Sequence, residues 1–391
     1  MSHNHLIRFG FFLIVTLIFS VSVPKTVAAP VSLPLKKGDR VTLVGAGMGS
    51  RTIHYGHLET ELYLRFPLKD LTIRNLCDEG NTPGFRPHPG RGQGGQYAFP
   101  GAKELISPKL QAGSGPNGHF ETPDQWLTRL KTDVIIAFFG FNSSFDGAGE
   151  LNRFKKELDA FLKHTLAQKY NGKSAPRLAL VSPTAVQATR GVTDGVQQNT
   201  NLILYTEAMR AVARENNVLF VDALSPSSQW YSSGENHTVD GALLNDLGYR
   251  KLAGLLADSI FQSENPSENL RSAVHKAVTD KNFYWQNDFK IPNGVHVYGR
   301  RFNPFGPKNY PFELKKTREM TEIRDQAIWA LLKGQAFDVK AADAKTSKLP
   351  AVQTNYRPGG KNGNIAYNPG KVTQTKIQVA KGYKIELFAD E

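Results

Sequence analysis

Short apolar runs alternate with amphipathic stretches from residue 40 to residue 262. The runs at 40–45, 70–76, 133–139, 177–182 and 218–222 have strand length and are rich in Val, Ile and Leu, as strands buried on both faces are. Between them, 52–65, 148–169, 197–216 and 245–262 carry helical spacing, and in the third of these Tyr205, Ala208, Met209 and Val212 fall on one face. Strand and helix in alternation predict an α/β protein with a parallel sheet wrapped by crossovers.

The alternation breaks twice. Residues 80–120 form a Gly/Pro-rich stretch that includes Pro83-Gly84-Phe85-Arg86-Pro87-His88-Pro89-Gly90-Arg91-Gly92. A loop this long is functional or disordered, and this one hangs from the end of a strand where ligands of such sheets bind. Beyond 265 the texture turns aromatic and rich in Asn and Pro, through Asn282-Phe283-Tyr284-Trp285 and Phe302-Asn303-Pro304-Phe305-Gly306, before a helix predicted over 316–334. Residues 266–335 therefore read as an aromatic, helical extension packed on a main domain of residues 30–265. The polar, aperiodic stretch 336–371 reads as a linker. After it, 372–391 contains two alternating segments that read as strands, either docking on the main domain or opening a further one.

Residues 1–29 read as a signal peptide: an apolar run at 9–23 follows Arg8 and precedes small residues at 27 and 29. That run falls short of the ~20 residues a membrane span needs. A secreted or periplasmic protein without an integral span is expected, with an uncleaved signal anchor as the alternative.

With 391 residues, 40% hydrophobic and 21% charged, the chain can bury a sizeable core. Its single cysteine, Cys77, excludes an internal disulfide framework and any multi-cysteine metal or haem centre, and reads as a buried apolar side chain. The net charge of +13 is spread along the chain, which suits solubility or attraction to acidic envelope polymers and does not resemble a nucleic-acid reader. No cofactor and no metal is expected.

An acyl-transfer site needs a nucleophile at a sharp turn, a base, an acid that orients the base, and donors for an oxyanion. Four segments stand at the corresponding places. Gly45-Ala46-Gly47 follows the first strand, and Asp78-Glu79-Gly80-Asn81 the second; Gly140-Phe141-Asn142-Ser143 follows the third, and Asp240-Gly241-Ala242-Leu243 precedes the last helix. In this order the chain resembles the SGNH, or GDSL, hydrolase superfamily over roughly residues 38–262. The resemblance implies a three-layer α/β/α, flavodoxin-like SGNH-hydrolase fold with a parallel five-stranded sheet, plus the C-terminal extension. It assigns Gly80 and Asn142 to the oxyanion pocket and Asp240 to the acid that orients the base. Gly47 falls where the family has its serine and Leu243 where it has its histidine, so neither role can be filled.

The phrases Tyr55-Gly56-His57-Leu58-Glu59-Thr60, Phe138-Phe139-Gly140-Phe141-Asn142-Ser143-Ser144-Phe145 and Ile385-Glu386-Leu387-Phe388 further resemble secreted multidomain proteins of planctomycete-type bacteria. In those, an SGNH-like module precedes a propeller-type domain and sometimes a haem-bearing tail, which implies a propeller-type domain or another protein as partner. No haem motif is present here.

Two readings follow. In the first, an exported domain without serine-hydrolase catalysis binds a carbohydrate or acyl ligand in the pocket of Gly47, Gly80 and Asn142, or acts as a scaffold. In the second, an esterase acting on carbohydrate or lipid esters uses a displaced nucleophile, Ser50, with His237 or His54. Ser50 otherwise reads as lying near the cap of the 52–65 helix, and His237 as an exposed loop histidine. His54 and His57, spaced i, i+3 on that helix, read as a packed or capping pair, and Asp240 has the alternative role of capping a helix start.

Overall fold

The computed structural model describes residues 32–87, 96–110, 121–189, 195–263, 266, 268–292, 294–297, 302–354 and 369–388. The expected signal segment lies outside the described residues, as do parts of the 80–120 loop and of the linker.

Five strands form one sheet: β1 (Arg40–Gly45), β2 (Thr72–Cys77), β3 (Val134–Phe138), β4 (Arg177–Val181) and β5 (Leu219–Val221). All pairs are parallel and the order is β2-β1-β3-β4-β5, the flavodoxin-like arrangement of a doubly wound sheet. The period of two divides each strand between two cores. Val134, Ile136 and Phe138 join Leu43 and Ile73 on one face; Ile135 and Ala137 join Val44, Leu178 and Leu180 on the other. The second strand starts at Thr72, two residues later than its apolar run suggests, because Asp70 turns with φ 48°.

Helices cover both faces, giving the expected three layers. α1 (Gly47–Tyr55), α2 (His57–Arg65), α8 (Asp246–Phe261) and α9 (Arg271–Phe289) lie on one side; α3 (Pro123–Arg129), α5 (Leu151–Ala167) and α6 (Gly195–Glu215) lie on the other. Short α4 (Phe141–Ser144) and α7 (Leu224–Tyr231) follow β3 and β5; α10 (Gly294–Val297) and α11 (Gly306–Leu332) follow α9. The single helix expected over 52–65 is two, α1 and α2, broken at Gly56 with φ 65°. A Cβ there would press within 3.3 Å of Val278 and Thr279, so the glycine also admits α9.

The segment after 265 is continuous with the α/β body. Along the free edge of β2, alternate carbonyls receive side-chain donors: Trp329 Nε1 to Leu71 O at 2.8 Å, Lys281 Nζ to Ile73 O at 3.1 Å, and Trp285 Nε1 to Asn75 O at 2.8 Å. The helices α9 and α11 thus satisfy an edge that would otherwise offer itself to another strand. Buried ion pairs hold them there: Lys281 with Glu59, Arg74 with Asp325, and Asp288 with Arg318 at 2.9 and 3.0 Å. Burial pulls the Lys281 ammonium below its ordinary range, against the opposing charge of Glu59.

Three expectations need correction. Asn282-Phe283-Tyr284-Trp285 lies inside α9, and the 316–334 helix begins ten residues earlier, at Gly306. The first part of the expected linker is docked: α12 (Val339–Asp343) places Asp343 on Arg324 at 2.6 and 2.8 Å, and Ser347 bonds to Glu319. Residues 369–388 form a short helix, α13 (Gly370–Gln374), and then an irregular, largely exposed path that pairs with no strand; the β2 edge is already sealed. Among the described residues no helix is long and apolar enough to cross a membrane.

Candidate functional site

The site is built where the strand order reverses, between the carboxyl ends of β1 and β3, the place where open α/β sheets bind ligands. Gly45 ends β1 with φ 124°, and a Cβ on it would lie 2.1 Å from the Phe138 carbonyl oxygen, so only glycine lets the chain turn here. Ala46 N–H then donates to Phe138 O at 2.8 Å, and α1 starts at Gly47. Side-chain amides sew the neighbouring loops together. Asn81 Nδ2 donates to Gly45 O at 2.8 Å, and Asn142 Nδ2 to Asn81 O at 3.0 Å.

Four sequence-predicted positions, Gly47, Gly80, Asn142 and Leu243, line one cleft of about 130 Å³. Its walls are mostly apolar, from Met48, Phe138, Phe139, Phe141, Pro183 and Leu244, with Thr184 and Tyr249 also contributing. The polar Glu79 joins them. A Cβ placed on Gly47 would meet only Glu79 Cγ, at 3.8 Å. A side chain at position 47 would therefore meet no close neighbour.

Asp240 does not join the cleft lining. Its Oδ1 accepts from the N–H groups of Ala242 and Leu243 at 3.0 and 2.7 Å, so it organises its own loop. Nor does it cap a helix: α8 begins six residues later, with Asn245 as its cap accepting from Gly248 N–H at 3.0 Å.

The displaced candidates also differ from expectation. Ser50 sits inside α1, buried, and is no cap. Its Oγ donates to Glu79 Oε1 at 3.0 Å and accepts from Lys290 Nζ at 2.9 Å; no histidine is a partner. His237 is fully buried and not an exposed loop residue: the indole of Trp230 and the ring of Tyr231 lie against it, and Nδ1 contacts Glu235 O at 3.0 Å. His54 and His57 fall on separate helices across the Gly56 break. His54 keeps one side open to solvent, and partial desolvation of its ring, followed by the Arg51 and Lys290 charges, lowers its pKa. His57 is packed, with Nε2 2.7 Å from Asp246 Oδ1 and its ring stacked on His275 at 4.9 Å. Among the described residues no three His, Cys, Asp or Glu side chains gather as a metal site. Burial pushes the Cys77 thiol far above its ordinary range, so it is an inert apolar filler.

Glu79 and Lys290 are the site residues that sequence reasoning missed. Lys290 Nζ, at the end of α9, lies 2.6 Å from Asp78 Oδ1 and 3.1 Å from Glu79 Oε2. Burial opposes the Lys290 charge, but the two carboxylates outweigh it and raise its pKa, so it stays protonated and is no base. Burial likewise opposes ionisation of Glu79. Hydrogen bonding with Asp78, the backbone and Lys290 outweighs it and brings the carboxyl down to about 2. A carboxylate this acidic cannot draw a proton from the Ser50 hydroxyl near neutral pH. The pair Asp78-Glu79 at a strand end was a readable signal; Lys290, over two hundred residues away, carried none.

No family model and no curated protein sequence matches the chain. Among solved structures, it is similar to an acetyl xylan esterase, AlAXEase, at 16% identity over 57% of this chain and 100% of that one, with a TM-score of 0.40. A GDSL-like lipase from Parabacteroides merdae shares 14% identity over 58% and 98% of the two chains, with a TM-score of 0.42. A lipase/acylhydrolase from Enterococcus faecalis shares 15% over 59% and 99%, with a TM-score of 0.39. At such identities and superpositions the likeness adds nothing to what strand order and loop placement already display.

Proposed function

We propose that this chain is an exported domain of the SGNH, or GDSL, type that binds a neutral acyl or acylated-carbohydrate ligand without hydrolysing it. One observation supports the reading: Gly47 and Leu243, which the resemblance assigns to the nucleophile and base positions, line a single cleft beside Gly80 and Asn142. A serine hydrolase stripped of nucleophile or base loses on the order of 10⁴ to 10⁶ in turnover, and loss of both costs little more. What is left is a small, largely apolar hollow with polar groups at one side, a shape that holds an acyl group and orients its carbonyl.

The charge pattern supports a neutral ligand. Glu79 is the one acidic or basic side chain on the cleft wall and stays ionised, so a free carboxylate would meet a like charge. An esterase built on Ser50 finds no support, since the hydroxyl is buried between a weakly basic carboxylate and a protonated amine.

Ligand-observed NMR with an acetylated xylo-oligosaccharide tests this. Saturation transfer to the acetyl methyl group is expected with the unmodified protein and is lost in Leu243→Trp, whose indole fills the cleft, while the ester stays intact. Absence of transfer, or acetate release above the buffer rate, contradicts the reading.

A further inference from the structure

A second cavity, of about 370 Å³, opens at the opposite end of the sheet, where the strands begin. Arginines from four separate segments line it: Arg40 opens β1, Arg74 lies on β2, Arg129 closes α3 and Arg318 lies on α11. Four arginines from four elements do not converge to satisfy one another, since like charges repel. Carboxylates account for three of them. Arg74 pairs with Asp325, Arg318 with the fully buried Asp288, and Arg129 with Glu121 at 3.1 Å, its Nη1 also 3.6 Å from Asp288.

Arg40 has no such partner. Among the described residues its guanidinium makes no ion pair, although its backbone N–H is held by Asp133 at 3.0 Å. Of the cavity's three carboxylates, Asp288 and Asp325 are consumed by the pairs above, and only the exposed Glu322 on α11 is left, not ion-paired with Arg40. The paired arginines are held in the wall by their carboxylates, and Arg40, exposed at the rim, is the lining arginine without an ion-pair partner among the described residues. Planar guanidinium forks match carboxylate, sulfate and phosphate oxygens two at a time. The indole of Trp329 beside them offers an apolar surface to the rest of a small molecule.

We propose that this cavity binds a small oxyanion-bearing molecule, such as a carboxylated sugar or a free inorganic anion, with Arg40 as its principal contact. The site is distinct from the cleft at the carboxyl ends of the strands, and neither reading depends on the other. The net charge of +13 would concentrate such anions around the protein.

The test is isothermal titration at low ionic strength with glucuronate, inorganic phosphate and glucose. Glucuronate or phosphate is expected to bind and glucose is not; glucuronate alone identifies a sugar carboxylate, and equal binding of both identifies a free anion. Arg40→Gln weakens binding about tenfold by removing a charged pair of donors, while Glu322→Gln strengthens it by removing the opposing charge. Leu243→Trp, in the other cleft, leaves it unchanged. The absence of binding by either anion overturns the proposal, as does affinity unaltered in Arg40→Gln with circular dichroism confirming a folded variant. Weaker binding in Glu322→Gln would also overturn it, because removing a like charge cannot weaken binding of an anion held by Arg40.

Discussion

The carboxyl ends of the strands and the β2 edge solve opposite problems. At the former, an apolar hollow faces solvent with one ionised carboxylate, Glu79, on its wall. Along the latter, the chain buries Lys281 with Glu59, Arg74 with Asp325, and Asp288 with Arg318, none of them in the cleft. Perturbed, buried charge is a common marker of catalytic sites. Here it marks the closing of a sheet: the same helices that carry Lys281, Trp285 and Trp329 to the β2 carbonyls carry the charges that fix them in place. Charge burial in this molecule thus follows the need to satisfy an edge, while the cleft is recognised by its position at the carboxyl ends of the strands.

Substitutions separate the two regions. The largest effect is expected on the edge. Lys281→Met leaves the Glu59 carboxylate buried without its partner, at a cost of about 3–5 kcal/mol in denaturant unfolding; a loss under about 1 kcal/mol would show that the edge is not held as described. Next comes Gly49→Ala beside the cleft. Its Cβ would stand 2.6 Å from both Cys77 Sγ and the Phe138 ring, and the required shift costs about 1–3 kcal/mol. By contrast Gly47→Ser, two residues earlier, changes stability by no more than ~0.5 kcal/mol, because its Cβ meets only Glu79 Cγ at an ordinary 3.8 Å. Equal losses at the two glycines would mean that the space beside Gly47 is filled.

A smaller effect is expected from pH. The folded Glu79 carboxyl, at about 2, lies below its ordinary value of 4.5, so its ionised form stabilises the fold above pH 4.5 and that stabilisation is lost as pH falls toward 2. Glu79→Gln should flatten the melting temperature across that window relative to the unmodified protein. Solvent at the cleft mouth screens the interaction and keeps the difference small. An identical pH profile in the two proteins would remove the ion pair with Lys290 from the account.

Much of the sheet was legible because each strand is buried on both faces and so reads as an unbroken apolar run. The helix α9 was not. Val274, Val278, Trp285 and Phe289 give it a buried stripe, but Lys281 and Asp288 are buried as well, and the charges hide the period. The break between α1 and α2 depends on Gly56 adopting φ 65°, which a glycine in a helical pattern does not announce. Gly47, Gly80, Asn142 and Leu243, singled out by their positions at strand ends and before α8, were brought together in one cleft. Asp240 was not, since a residue three positions before Leu243 can as easily bond to its own loop as point inward, and its Oδ1 does the former. His237 looked exposed because it lies among Glu235, Asn236 and Asp240; Trp230 and Tyr231 from α7 bury it.

The most direct test of the proposal that the cleft binds without hydrolysing is intact-mass spectrometry after prolonged exposure to excess fluorophosphonate. The unmodified mass should persist, because Ser50 beside the cleft is bonded to a weakly basic carboxylate and a protonated amine, and to no histidine among the described residues. A stoichiometric adduct mapped to Ser50 would contradict that and restore a hydrolase.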